Sequence, residues 1–249
     1  MVLSELFRDE ELIMSNRLFL FLTIIAVSAS SSAGQKNSGG KFNDAIKRSK
    51  ASAEIITMAA QVSPNGIPKE LLDQAAAIGV FPCKKTDLLI EHAVICPGAI
   101  VSRTQNGWSL PAFFRFFGGG FGRPDPALGQ SNAIILLFMA KQPVDWLSTL
   151  RNAREAIAGP LGSLTEEQKS ELVNARVIAY ALRKDSLSGE TLKSGFWKSV
   201  GVVEDNKINK PLYGMKGREV LTGREINSAS LPAGISAFRE ALQKYRPVP

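Results

Sequence analysis

Gly107 to Met139 reads GWSLPAFFRFFGGGFGRPDPALGQSNAIILLFM. It sets two strongly apolar strand candidates on either side of a glycine run, and the rest of the chain is best read outward from it. On the N-terminal side, the Gln105-Asn106-Gly107 turn signal predicts a hairpin leading into Gly107 to Phe114. On the C-terminal side, Asn132 to Met139 is almost wholly apolar, which predicts a strand buried on both faces. Between them, Gly118-Gly119-Gly120-Phe121-Gly122 lacks the Gly-Lys-Ser/Thr of a nucleotide loop and opens no helix. Its glycines instead suit a sharp turn or close backbone packing. Five phenylalanines, Phe113, Phe114, Phe116, Phe117 and Phe121, crowd this region. On alternating strand positions one set belongs to the core. The other either packs as well or forms an exposed apolar patch around Arg115, suited to a membrane interface or a hydrophobic ligand.

The flanking patterns are helical. Lys41 to Val62 contains neither proline nor glycine, and Ile55, Met58, Ala59 and Val62 recur at i, i+3, i+4 and i+7, which predicts a helix burying that stripe. Lys47, Lys50 and Glu54 share the opposite face. Asn65-Gly66-Ile67-Pro68 ends this helix, and Pro68 opens a short second one from Lys69 to Ala77. Ile78 to Pro82, Leu88 to Ile95, Gly98 to Arg103 and Gly107 to Phe114 are short apolar stretches separated by turn residues, the pattern of an antiparallel meander. Farther on, Val144 to Leu150 reads as a short amphipathic helix, and Thr165-Glu166-Glu167-Gln168 is a capping box opening another. Arg176 to Leu182 reads either as a continuation of that helix or as a strand. A hairpin is expected between Ser186 to Leu192 and Phe196 to Val203, then a small helix near Glu219 and a last one from Ala233 to Lys244.

With 249 residues, 45% of them hydrophobic, the chain has material for one good core. Its formal charge of +7 favours an anionic partner. The Lys and Arg residues are scattered singly or in pairs, so nucleic acid is the weaker expectation. Met14-Ser15-Asn16-Arg17, the apolar run Leu18 to Val27 and the small residues Ser28 to Ala33 follow the order of a secretory signal peptide cut near Ala33. The apolar run falls short of the roughly 20 residues that span a bilayer. Asp9-Glu10-Glu11 does not suit a signal n-region, which favours Met14 over Met1 as the start. Residues 1–33 are thus expected to be an address and 34–40 a polar linker, with no cysteine near the cut for a lipid anchor. Export, to a periplasmic or extracellular place, would permit Cys83 and Cys96 to form a disulfide; two separate buried thiols are the alternative.

Catalytic patterns are scarce. His92 is the only histidine, so no multi-histidine metal site exists and any triad would have to use it. It lies inside an apolar strand candidate, where a structural role is the ordinary one. There is no G-x-S-x-G elbow and no pair of carboxylates spaced for glycosidase work. No cofactor is expected, and an enzyme would need an unrecognised site joining His92 to Asp87 or Glu91.

Taken together, Gly107-Trp108-Ser109, Pro111-Ala112-Phe113, Gly118-Gly119, Phe121-Gly122, Gly129-Gln130-Ser131 and Leu136-Leu137-Phe138-Met139 resemble the signature of the SYLF (Ysc84 actin-binding) domain family. Pro64-Asn65-Gly66-Ile67-Pro68, followed by Leu71-Leu72, and Pro211-Leu212-Tyr213-Gly214 match as well, so the resemblance runs from about Ala45 to Arg246. It implies a single α+β domain over residues 41–249, with a mainly antiparallel, strongly curved or barrel-like sheet flanked by N-terminal and C-terminal helices. It also inclines Arg176 to Leu182 toward strand. The implied function is non-enzymatic binding of anionic phospholipid, such as phosphoinositide head groups. Eukaryotic members also bind actin, a partner that an exported chain would not meet. Candidate lipid-binding residues are Lys47, Arg48 and Lys50 on the first helix, Lys84 and Lys85 where the family carries its lysine pair, and Arg103 and Arg115 if they join the same groove. For each, the alternative is a solvated basic face. The chain departs from the family at His92-Ala93 and Cys96-Pro97, where glycines are usual, so it reads as a divergent member. A structural or protein-interaction module using the sheet surface is the competing expectation.

Overall fold

The computed structural model describes residues 39–62, 64–83, 94–118, 132–139, 156–172, 174–183, 186–189, 201–227 and 230–245. The chain divides into two units, Met1–Asn43 and Asp44–Pro249. Of the first, only residues 39–43 are described, and they are helical; Gly39 and Gly40, expected in a linker, already belong to the helix. The expected signal segment lies outside the described residues. Among those described, no helix is long and apolar enough to cross a membrane.

The second unit is α+β. Its strands are β1 (Ala77–Pro82), β2 (Val94–Thr104), β3 (Gly107–Trp108), β4 (Ala112–Gly118), β5 (Ala133–Phe138), β6 (Ala156–Ala158), β7 (Val177–Arg183), β8 (Ser186–Gly189) and β9 (Gly201–Glu204). They form one sheet in the order β6-β7-β5-β1-β2-β4-β9, with β3 on β2 and β8 on β7. Every pairing is antiparallel except β6 with β7, so the sheet is mixed at that end. As expected from its unbroken apolar run, β5 is buried at all six positions, between β1 and β7. Val177–Arg183 is a strand, which settles the ambiguity at Arg176 to Leu182.

The sheet is strongly curved, a half-barrel, and Gly98 marks one bend. A Cβ there would lie 2.1 Å from the Val80 carbonyl oxygen, so only glycine lets β2 fold this closely over β1. One residue earlier, Pro97 supplies no N–H to the ladder. Gly98 to Arg103 and the last residues of the Leu88 to Ile95 stretch are therefore one bent strand rather than two, while 88–93 lie outside the described residues. Pro111 likewise separates β3 from β4, which were expected to be continuous. The pairing Val80↔Ala99, extended three residues along each strand, sets Cys83 opposite Cys96. The two are joined in a disulfide with Cα atoms 4.4 Å apart.

Other expectations change partners. Ser186–Gly189 does form a hairpin, but with β7, from Tyr180↔Gly189 to Arg183↔Ser186. The end of Phe196 to Val203 pairs instead with β4 as strand β9. The expected helix from Val144 to Leu150 lies outside the described residues.

Six helices are described: α1 (residues 39–61), α2 (Lys69–Gln74), α3 (Glu166–Leu172), α4 (Asn206–Tyr213), α5 (Gly217–Leu221) and α6 (Ala237–Leu242). The capping box before α3 is present in both halves, with the Thr165 N–H donating to Gln168 Oε1 at 3.0 Å and the Gln168 N–H donating to Thr165 Oγ1 at 3.2 Å. Helix α4 was not anticipated, and Pro211 sits inside it.

The buried face of α1 differs from the expected stripe. Ala45, Ser49, Ser52, Ile56 and Ala59 are buried, whereas Met58 is 47% exposed and Val62 37%. Small side chains allow close approach, and the two serines satisfy carbonyls: Ser49 Oγ donates to Ile235 O at 2.6 Å and Ser52 Oγ to Val80 O at 3.3 Å. A hydropathy pattern counts serine as polar, so this face was hidden from it.

Candidate functional site

Strand alternation and the sheet register together build the site. On β4, Phe113, Arg115 and Phe117 share a face, opposite Ala99, Pro97 and Ile95 of β2. Across the other edge of β4, Arg115 faces Val203 and Phe117 faces Gly201 of β9. Phe113 is fully buried at the inner end of this row. At the outer end Ile95 (40%), Phe117 (38%) and Val203 (53%) are exposed large hydrophobics around Arg115. The opposite face carries Phe114 and Phe116, both in the core. Gly201 lets the Phe117 ring lie across β9, since a Cβ at that position would stand 2.4 Å from the ring.

Arg115 is held from behind. Its Nε donates to Oδ2 of Asp205 at 2.9 Å, and Arg48 Nη1 from α1 donates to the same oxygen at 3.0 Å. The Asp205 side chain is 2% exposed and Arg48 10%, whereas Arg115 is 47% exposed. Arg48 is also paired through Nη2 with Asp44, one helical turn before it. Nε of Arg115 is thus occupied, while the side chain remains partly exposed beside Ile95, Phe117 and Val203.

Asp205 follows β9 and stands at the N-cap of α4. Its backbone carbonyl accepts from the N–H groups of Ile208 and Asn209, yet its carboxylate makes no cap bond. An aspartate there ordinarily caps the helix through its side chain. Here the carboxylate serves two arginines instead, from positions 157 and 90 residues away in sequence.

The expected basic residues therefore separate. Lys47 and Lys50 are exposed on α1, and Arg48 is turned inward into the ion pairs. Lys84 and Lys85 lie outside the described residues, as do Asp87, Glu91 and His92 of the enzyme reading. Arg103 does not join Arg115. It lies six residues beyond Pro97, the register partner of Arg115 on β2, about 20 Å along an extended strand. Its Nε donates to Ala75 O and its Nη2 to Leu72, Asp73 and Tyr245 carbonyls, all within 2.9 Å, and its guanidinium stacks 4.2 Å over the Trp108 ring. Arg103 thus closes the C-terminal end of α2. Burial lowers its pKa and the charge of Asp73 partly offsets this.

Asp205, Ile95 and Val203 escaped the sequence reading. An Asp between a strand and a polar helix start carries an N-cap signal and nothing that points to two distant arginines. The chain matches no protein-family model and no curated protein.

Proposed function

We propose that this chain is a divergent SYLF-like module that binds anionic phospholipid at an envelope membrane, without catalysis, through the Arg115 patch. The observation carrying this reading is an arginine oriented by a buried carboxylate and surrounded by exposed Ile95, Phe117 and Val203. A guanidinium edge makes charge-assisted, bidentate bonds to phosphate. The apolar ring around it can enter the interface at the depth of the head groups, and a fully buried phenylalanine is worth roughly 1.5–3 kcal/mol. Exposed Lys47 and Lys50, within a net charge of +7, add long-range attraction of about 1 kcal/mol per residue near an anionic surface. The exposure of nearly half of the Arg115 side chain supports access of a ligand to it.

Co-sedimentation with vesicles tests the reading. At physiological salt the chain is expected to pellet with vesicles containing phosphatidylglycerol or phosphatidic acid and not with pure phosphatidylcholine. Arg115→Gln and Phe117→Ala should each weaken that binding three- to tenfold. Equal binding to both vesicle types, or to neither, overturns it. A protein-interaction module would use the same apolar patch, but an arginine at its centre favours an anionic, amphipathic partner. Phe117→Ala with a full effect and Arg115→Gln with none would shift the assignment to that second reading.

A further inference from the structure

At the other end of β2, a cavity of about 200 Å³ lies between the β2–β3 turn, the segment after α5 and helix α6. Thr104, Asn106 and Trp108 line it from the turn, Gly223 and Arg224 from the segment after α5, and Arg239 from α6. Two arginines thus face a space whose lining contains no Asp or Glu. Arg239 is half-buried, and its Nε is fully buried without a hydrogen-bond partner. It forms no ion pair or side-chain hydrogen bond with any described residue. Among the described residues Arg224 reaches only the partly exposed carboxylate of Glu219, at 3.4 Å, an arrangement worth little in water. The Asn106 side chain is exposed and makes no hydrogen bond to a described residue, whereas the Thr104 hydroxyl and the Trp108 indole N–H already donate to Gly107 O and Leu242 O.

A buried guanidinium nitrogen without an acceptor costs free energy that folding does not recover, and such groups call for a missing partner. The donors here are two guanidinium forks and one amide around a small volume. That volume is below the 300–1,000 Å³ range of drug-sized pockets and large enough for a single tetrahedral oxyanion. We propose that this cavity is a phosphate-binding site, taking inorganic phosphate or the phosphate of a monoester whose substituent points outward. Arg239 supplies a bidentate contact, Arg224 swings from Glu219 onto the anion and neutralises its second charge, and Asn106 donates to a further oxygen. The site is separate from the Arg115 patch and does not depend on it.

Calorimetric titration of the full chain with inorganic phosphate, against sodium chloride at matched ionic strength, tests this. Wild type should bind with a dissociation constant of about 1 mM or tighter, and the anion should raise the thermal midpoint and alter tryptophan fluorescence. Arg239→Met should lose at least tenfold in affinity while unfolding, in phosphate-free chloride, no earlier than wild type. Arg224→Gln should lose several-fold, which keeps the test valid if Arg239→Met does not fold. Arg115→Gln should bind phosphate normally, so failure here is distinguishable from failure of the membrane reading. Phosphatidic acid vesicles identify the source: Arg239→Met that still pellets with them marks a free anion, and loss of both marks a lipid head group. No phosphate-specific heat with wild type, or unchanged affinity in both arginine variants, overturns the proposal.

Discussion

Four arginines of one chemical type have four different fates here. Arg48 is turned inward between two carboxylates, Arg103 closes the end of a helix, Arg115 is steered by one carboxylate toward solvent, and Arg239 keeps a buried Nε without a hydrogen-bond partner. Asp205 decides two of these fates. Removing one partner from a buried ion pair leaves an uncompensated charge, typically at a cost of about 3–5 kcal/mol. Asp205→Ala should therefore lower the unfolding free energy by about 3 kcal/mol or more, measured by urea denaturation. Asp205→Asn should cost less, because its amide oxygen still accepts a bond and asparagine is a good N-cap. Equal losses in the two variants would mean that the negative charge, which both remove, accounts for the whole effect, and that the amide oxygen and the cap contribute nothing. The sequence identified Arg48, Arg103 and Arg115 as basic and could do no more, since a guanidinium looks the same whether it meets a phosphate or a carbonyl.

Among elements, the link between β1 and β2 carries the clearest consequence. The disulfide joins residues 13 apart, and closing a loop of this size removes denatured-state entropy worth about 3 kcal/mol. The double variant Cys83→Ala/Cys96→Ala should lose 2–4 kcal/mol, and a reductant should shift the wild-type denaturation midpoint and leave the variant's unchanged. Identical midpoints for wild type with and without reductant would contradict this. The cysteines were legible as strand ends, but their pairing follows only from the β1–β2 register. Helix α1 teaches the same lesson: its existence and its lysine-bearing outer face were readable, while its buried serines were not, because the carbonyls they satisfy at Val80 and Ile235 come from distant segments. Strand β9 was placed in the wrong hairpin for a related reason, since four residues carry too little pattern to choose between a local partner and β4.

For the molecule as a whole, alkaline pH should be a weak point. Tyr180 and Tyr213 are buried, their hydroxyls donate to Pro160 O and Pro111 O, and burial raises both pKa values far above the ordinary 10, with Arg239 offsetting part of the effect at Tyr213. An acid whose folded pKa is raised keeps its proton in the native state while the unfolded chain loses it. Stability is therefore fully present below pH 10 and falls above it, by about 1.4 kcal/mol per pH unit for each tyrosine. Chemical denaturation between pH 9 and 11.5 should show this slope. Tyr213→Phe should reduce it by about half, and an unchanged slope in Tyr213→Phe and Tyr180→Phe would exclude these residues as its cause.

By itself the sequence determined the local layout: helices around an apolar, mainly antiparallel sheet, a strand buried on both faces at Ala133–Phe138, the capping box at Thr165, and the two-residue turn after Thr104. Each of these follows from neighbours within one or two turns of chain, where periodicity and turn chemistry act. Tertiary structure alone decided which strand β9 joins, which face of α1 is buried, that Cys83 meets Cys96, and which arginines are drawn into buried ion pairs and carbonyl contacts. Those outcomes depend on acceptors and surfaces brought together from distant segments, 186 residues apart for Ser49 and Ile235, and no local pattern encodes that distance.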